Sequence, residues 1–284
     1  MIAFSLWSLH IYWYGIMYLL SFLIWYALLS YGQKRWWYTW TYADSIIDKD
    51  LDGLILALVV WVMLWGRLGH IFIYDFSYFL SYPLKIFALQ EGGMSFIGGI
   101  VGVVISISLY FSYFAPKSVQ KKDVMSVFDA IVPIVPMGIF FGRFGNFLNQ
   151  ELYGRVVPEN FRGLWTWMVS FLSDIHIFHI YDQIDKGLRI NTNFLSMFLE
   201  GFLLSIILWI LFFSKVMTKK RNSWQLSAVF LGAYSVVRFF LEYVRQDSQA
   251  EFVGIFTRSQ WFFVLFFAFS IIGFVLKSKK HAGS

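Results

Sequence analysis

The chain has no cysteine among its 284 residues. That excludes a disulfide, a thiolate nucleophile of its own and any cysteine-ligated metal. Charge is also scarce, with 14% of residues Asp, Glu, Lys or Arg, against about 25% in a soluble domain. The five histidines form no metal-ligand set, so neither a metal nor an organic cofactor is expected. Basic residues outnumber acidic ones, 23 to 17, but form no patch of the kind nucleic acids require, and no nucleic-acid partner is expected. No internal repeat or low-complexity tract interrupts the chain. What is plentiful is apolar: 58% of residues are hydrophobic, 22% are aromatic and the mean hydropathy is +0.62. This composition belongs to a polytopic membrane protein.

Seven apolar stretches are long enough to span, near residues 11–30, 53–74, 96–115, 127–147, 194–214, 226–244 and 259–277. No Lys or Arg precedes the first, so it lacks the charged start of a signal peptide. Basic clusters fall in alternate connections: Lys34, Arg35 and Lys49; Lys117, Lys121 and Lys122; Lys215, Lys219, Lys220 and Arg221; and Lys277, Lys279 and Lys280 in the tail. The positive-inside rule then puts the N-terminus outside and the C-terminus inside. The expected fold is all-α integral membrane, seven transmembrane helices in one domain over residues 1–284, with a small extracytoplasmic cap inserted at 148–193. Asp75 to Glu91, aromatic and containing Pro83, reads as an interfacial segment.

Polar residues inside the spans carry the functional argument. The stretch Gly142-Arg-Phe-Gly-Asn-Phe-Leu-Asn-Gln-Glu-Leu-Tyr-Gly-Arg155 follows the apolar run Ile131–Phe141. On a continuous helix Arg143, Asn146 and Gln150 share one face. An arginine at the centre of a membrane helix costs roughly 2.5–3.5 kcal/mol on insertion scales, so it must face protein, water or a ligand. A second set, Arg238, Glu242 and Arg245, is spaced i, i+4 and i+7 and also shares a face. Two readings stand for each arginine: pairing with a buried carboxylate, or holding an anion. Taken together, Arg143 and Arg238 suggest an anion site, and the planar guanidinium suits phosphate. In a bilayer the abundant phosphate is a phospholipid head group. Arg67 reads as structural, snorkelling toward the outer surface. The glycine-rich run Glu91-Gly-Gly-Met-Ser-Phe-Ile-Gly-Gly-Ile-Val-Gly102 suits backbone approach to a ligand, or tight helix packing through the Gly98–Gly102 spacing; packing is the preferred reading. Tyr12-Trp-Tyr-Gly15 alone reads as an interfacial aromatic belt. Glu200 and Glu242 are too few intramembrane carboxylates for a transport pathway.

In order and rough spacing, Tyr12–Gly15, Gly66-Arg-Leu-Gly69, Glu91–Gly99, Gly142–Arg155 and Arg238–Arg245 resemble the prolipoprotein diacylglyceryl transferases, over nearly the whole chain. The resemblance implies a multi-pass enzyme of the bacterial inner membrane that uses phosphatidylglycerol and a prolipoprotein signal peptide with its lipobox cysteine, among membrane lipids. The cysteine sulfur takes the diacylglyceryl group and glycerol phosphate leaves. By that carry-over Arg143 and Arg238 are catalytic, holding the phosphate. Tyr14, Gly98, Gly99, Asn146, Glu151, Gly154, Glu242 and Arg245 bind substrate.

Two departures from the family pattern follow from the same resemblance. Ile97 stands where a His or Tyr is usual, and Asn191-Thr-Asn-Phe-Leu-Ser196 replaces a Pro-Ser-Gln-Leu-Tyr-Glu-like run. A positioned base contributes typically 10²–10⁴-fold. A thiol is nevertheless a few per cent ionised at neutral pH, and arginines raise that fraction. The expectation is that the arginine field drives thiolate formation, with neither of the stand-ins His70 and Tyr12 essential. The alternatives are a transferase with another acceptor and a non-catalytic phospholipid-binding membrane protein.

Overall fold

In the computed structural model, residues 2–6, 9–34, 44–88, 93–114, 124–164, 166–181, 187–218, 225–246 and 252–282 are described. Outside them lie Arg35, Glu91, Lys117, Lys121, Lys122, Lys219, Lys220 and Arg221, as do the side chains of Tyr12, Tyr14, Lys34, Lys49, Lys215, Lys277, Lys279 and Lys280. The chain divides into two compact units: Met1–Leu29 with Phe128–Ser284, and Ser30–Val127.

Helix occupies each of the seven apolar stretches: Trp13–Lys34, Asp44–Ile73, Phe96–Leu109, Val124–Ile131 with Val135–Leu148, the run from Thr192 to Thr218, Gln225–Val244 and Arg258–Ala282. Among the described residues, four segments are long and apolar enough to cross a membrane by length and composition: Asp52–Ile73, Thr192–Ser214, Gln225–Val244 and Arg258–Val275. The stretch expected as one helix over 127–147 is two. Pro133 has no N–H to continue the ladder, and its ring clashes with the preceding turn. Pro136 then sits in the first turn of the new helix, where no backbone donor is needed.

In the Ser30–Val127 unit, Asp44–Ile73 and Phe96–Leu109 pack antiparallel. Glycine makes the contact close. A Cβ on Gly98 would fall on the Trp65 carbonyl and 3.0 Å from the Gly69 Cα, and one on Gly102 would stand 2.8 Å from the Trp61 carbonyl. The Gly98–Gly102 spacing is therefore a packing seam. Between these helices the chain forms a short helix, Phe76–Ser81, and a 3₁₀ turn, Pro83–Phe87. Arg67 holds this connection. Its guanidinium donates to the carbonyls of Lys85 (2.7 Å), Ile86 (3.1 Å), Ala88 (3.3 Å) and Gly93 (3.1 Å), and it lies 5.0 Å from the Phe79 ring centroid. Arg67 is 5% exposed, so the expectation that it snorkels outward is corrected. The backbone carbonyls of Lys85, Ile86, Ala88 and Gly93 satisfy it from within.

In the other unit, Gln225–Val244 packs along Arg258–Ala282, and Val135–Leu148 along the Met197–Leu203 turn. Leu204, Leu208, Tyr234 and Phe263 form a buried core, flanked by Ile139, Phe230 and Phe266. Thr257 and Gln260 cap the last helix reciprocally: Thr257 N–H donates to Gln260 Oε1 at 2.9 Å, and Gln260 N–H to Thr257 Oγ1 at 3.2 Å, a capping box. Asp129 accepts from the Ser227 N–H and hydroxyl at 2.8 and 2.7 Å, satisfying an orphan donor at the start of Gln225–Val244. The 148–193 excursion contains the helices Glu159–Leu164 and Thr166–Asp174 and the hairpin Phe178–Ile180/Leu188–Ile190. A further hairpin, Ile2–Leu6/Leu9–Tyr12, precedes the first helix; hydropathy alone gave no sign of it.

Candidate functional site

The Val135–Leu148 helix carries Arg143 and Asn146 and ends at Asn149. Gln150 turns into the left-handed region at φ 56. Its N–H donates to Phe147 O and the Glu151 N–H to Asn146 O, both at 2.9 Å. This pair of bonds is the Schellman termination. Gln150 is thus off the helix, and the expectation that it shares a face with Arg143 and Asn146 is corrected. The turn instead brings Glu151 back beside Asn146, whose Nδ2 lies 3.4 Å from Glu151 Oε2.

Beyond the turn, residues 153–155 form a ribbon pinned on both sides. Gly154 N–H donates to Ile190 O at 3.0 Å, Arg155 N–H to Val244 O at 2.9 Å, and Gln246 N–H to Tyr153 O at 3.2 Å. Arg189, buried, donates to Gly154 O at 3.2 Å and to Gln246 Oε1. The polar run Asn191–Asn193 completes the joint. Asn191 caps the helix by accepting from Phe194 N–H at 3.0 Å. Thr192 Oγ1 donates to Leu152 O, and Asn193 Nδ2 to Glu151 O at 2.6 Å. The Tyr181 hydroxyl donates to Asn191 Oδ1 at 3.0 Å, and burial pushes that phenol up to about 12, so it remains a donor at any physiological pH. These residues were missed as a group, because their role is to bond a loop far away in sequence.

A buried charge cluster lies on the helices this joint ties together. Arg238 (6% exposed) has Nη1 at 3.8 Å from Glu200 Oε1 and Nη2 at 3.9 Å from Glu242 Oε2. Arg245 Nη1 donates to Glu242 Oε2 at 3.3 Å. Arg238, Glu242 and Arg245 therefore meet along one helical face, as their spacing implies. The Tyr234 hydroxyl is in electrostatic range of Glu200, Arg238, Arg143 and Arg245, which draws Arg143 into the same neighbourhood. Glu200 stands in a π-helical turn, Met197–Leu203, of a kind frequent at functional sites. In the sequence it shows as a lone carboxylate in an apolar span, within the Leu199-Glu-Gly201 run that matches the family pattern.

The remaining expected site residues are placed differently. Gly98 and Gly99 belong to the Ser30–Val127 unit. Gly98 is filled by packing, whereas Gly99 would meet only Val62 Cγ1, at 3.9 Å. Tyr14 lies on the Trp13–Lys34 helix. Ile97 is buried hydrocarbon, and His70 pairs with Asp75 at 2.9 Å.

These features describe a helical membrane protein in which Arg238, Glu200 and Glu242 are buried together among apolar helices. Comparison with known proteins makes the class specific. The family model described as prolipoprotein diacylglyceryl transferase matches residues 1–276, and the chain belongs to that family. Three relatives each bear the name phosphatidylglycerol–prolipoprotein diacylglyceryl transferase. The protein from Buchnera aphidicola subsp. Acyrthosiphon pisum (strain Tuc7) is 36% identical, covering 82% of this chain and 79% of that protein. That from Bordetella avium (strain 197N) is 35% identical over 98% of this chain and 95% of its own. That from Legionella pneumophila (strain Lens) is 34% identical over 89% and 86%.

Proposed function

We propose that this chain transfers the diacylglyceryl group of phosphatidylglycerol to the lipobox cysteine of bacterial prolipoproteins, releasing glycerol phosphate. The family match over residues 1–276 carries the proposal, and the arginine cluster supports it. The sulfur electron pair attacks the glyceryl carbon bonded to the phosphate oxygen. That C–O bond breaks, its electrons leave on the phosphate oxygen, and the thiol proton is released to solvent. Charge develops on the leaving phosphate. Arg143 and Arg238 hold it, in a medium where fixed donors act more strongly than in water. Glu242 and Arg245 orient Arg238. Asn146, Glu151 and Gly154 shape the head-group side, with Tyr14 lining the lipid; Gly98 is assigned to helix packing, and Gly99 lies with it in the Ser30–Val127 unit.

In this reading the chain crosses the bacterial inner membrane seven times with its N-terminus outside, and the 148–193 insertion is an extracytoplasmic cap. The aromatic connection at 75–91 lies at the lipid interface, consistent with exposure of Phe76, Tyr82, Leu84 and Phe87.

The test is a release assay. Purified protein receives phosphatidylglycerol and a lipobox peptide, and glycerol phosphate is followed beside a Cys→Ser peptide. Cysteine-dependent release is expected. Lipid bound without release would point to another acceptor or a binding role.

A further inference from the structure

Glu200 is fully buried, at 0% exposure, and neither carboxylate oxygen has a hydrogen-bond partner among the described residues. Its ion-pair contact, Arg238 at 3.8 Å, exceeds the 2.7–2.9 Å of a charge-assisted hydrogen bond. Nor is Glu200 the one counter-ion available, because Glu242 also lies against Arg238, at 3.9 Å. The neighbouring backbone fixes it in place: a Cβ on Gly201 would stand 2.8 Å from Phe140 Cβ and 2.9 Å from its Cα. The turn carrying Glu200 packs closely against the Arg143 helix. A carboxylate accepts at up to four lone-pair sites, and a buried acceptor left empty is costly. The position is built to be completed by donors.

We propose that Glu200 accepts hydrogen bonds from the head-group hydroxyls of the donor phospholipid and selects for a polyol head group. This rests on the transferase reading. A phosphodiester offers Arg143 and Arg238 only acceptor oxygens and gives Glu200 nothing. The glycerol head group carries its two O–H donors on its second and third carbons, beyond the carbon esterified to that phosphate. The arginines then read the phosphate and Glu200 the diol. Charges are compatible, since Arg143, Arg238 and Arg245 outnumber Glu200 and Glu242 when the anionic phosphate enters.

The test compares phosphatidylglycerol with phosphatidylpropanol, which lacks both head-group hydroxyls, in wild type, Glu200→Gln and Glu200→Asp. Two readouts are taken: lipid competition for protein in nanodiscs by native mass spectrometry, and thioether formation on a cysteine peptide. Wild type is expected to prefer phosphatidylglycerol, and Glu200→Gln to shrink that preference about ten- to hundredfold, the worth of a hydrogen bond to a charged group. Glu200→Asp is expected to fall between. Should both variants fail to fold, inhibition of wild type by glycerol phosphate against propyl phosphate decides the matter; equal inhibition overturns the proposal. An unchanged lipid preference in Glu200→Gln overturns it too. If turnover of both lipids falls equally and a selenocysteine peptide, ionised at neutral pH, restores it, Glu200 takes the thiol proton and the head-group assignment fails. Wild type that binds with hydroxyl preference but makes no thioether would overturn the transferase reading and leave the head-group assignment standing.

Discussion

Gly154 and Ile190 meet backbone to backbone. The Gly154 N–H donates to Ile190 O at 3.0 Å, and a Cβ on Gly154 would land on that same carbonyl and 2.9 Å from Val244 O. This contact joins the loop after the Arg143 helix to the Leu188–Ile190 strand, and the adjoining Arg155 N–H bond to Val244 O ties it to the end of the Arg238 helix. The glycine of the motif thus acts on the site by setting how two arginine-bearing helices are held, and no contact with lipid is needed to explain it.

Gly154→Ala is therefore expected to disrupt the site through the joint. Overpacking typically costs 1–3 kcal/mol, and here the clash is with two backbone carbonyls that cannot rotate away. A lowered Tm in detergent together with lost turnover is the expected outcome. Full stability with lost turnover would instead place Gly154 at the substrate.

Gln150 offers a change in the opposite direction. A non-glycine residue in the left-handed region costs roughly 1–2 kcal/mol, and Gln150 occupies it at φ 56, where a Schellman turn favours glycine. Gln150→Gly is expected to raise stability by about 1 kcal/mol, less whatever its side chain contributes, and to preserve turnover. A thermal melt beside the release assay checks both.

How legible each part was depended on range. Helix positions followed from hydropathy, because a membrane helix writes its length as a continuous apolar run. The break at Pro133 was local chemistry, overlooked within an otherwise uniform stretch. Arg238, Glu242 and Arg245 could be grouped because they lie on one helix. Asn193 could not be linked to Glu151, nor Arg189 to Gln246, since those bonds close over 42 and 57 residues and leave no periodic trace. Arg67 misled for the same reason: an arginine near a span end looks like a snorkelling one until the carbonyls that hold it are seen.

Arg67→Ala is expected to loosen the 83–88 segment, because the carbonyls of Lys85, Ile86, Ala88 and Gly93 lose its guanidinium. Limited proteolysis should then cut within that segment faster than in wild type. Arg67→Lys should rescue only in part, since an ammonium has three donors and no planar fork. Equal protease resistance in all three proteins would mean that packing against Phe79, and not the hydrogen bonds, holds the segment.

Arg143 and Arg238 separate site from scaffold. If they stabilise the departing phosphate, Arg143→Ala and Arg238→Ala should each lower kcat by about 10²–10³, as loss of one preorganised donor does elsewhere. Arg238→Ala carries a second effect, because it leaves Glu200 and Glu242 buried with their shared arginine gone, and a broken buried pair is strongly destabilising. Its melt should fall where that of Arg143→Ala holds. Phosphatidylglycerol binding, measured on both variants and on Arg67→Ala, completes the comparison: weaker binding in the first two and near-normal binding in the third is expected. Equal losses in all three would mean the lipid is not held by the arginines of the Val135–Leu148 and Gln225–Val244 helices.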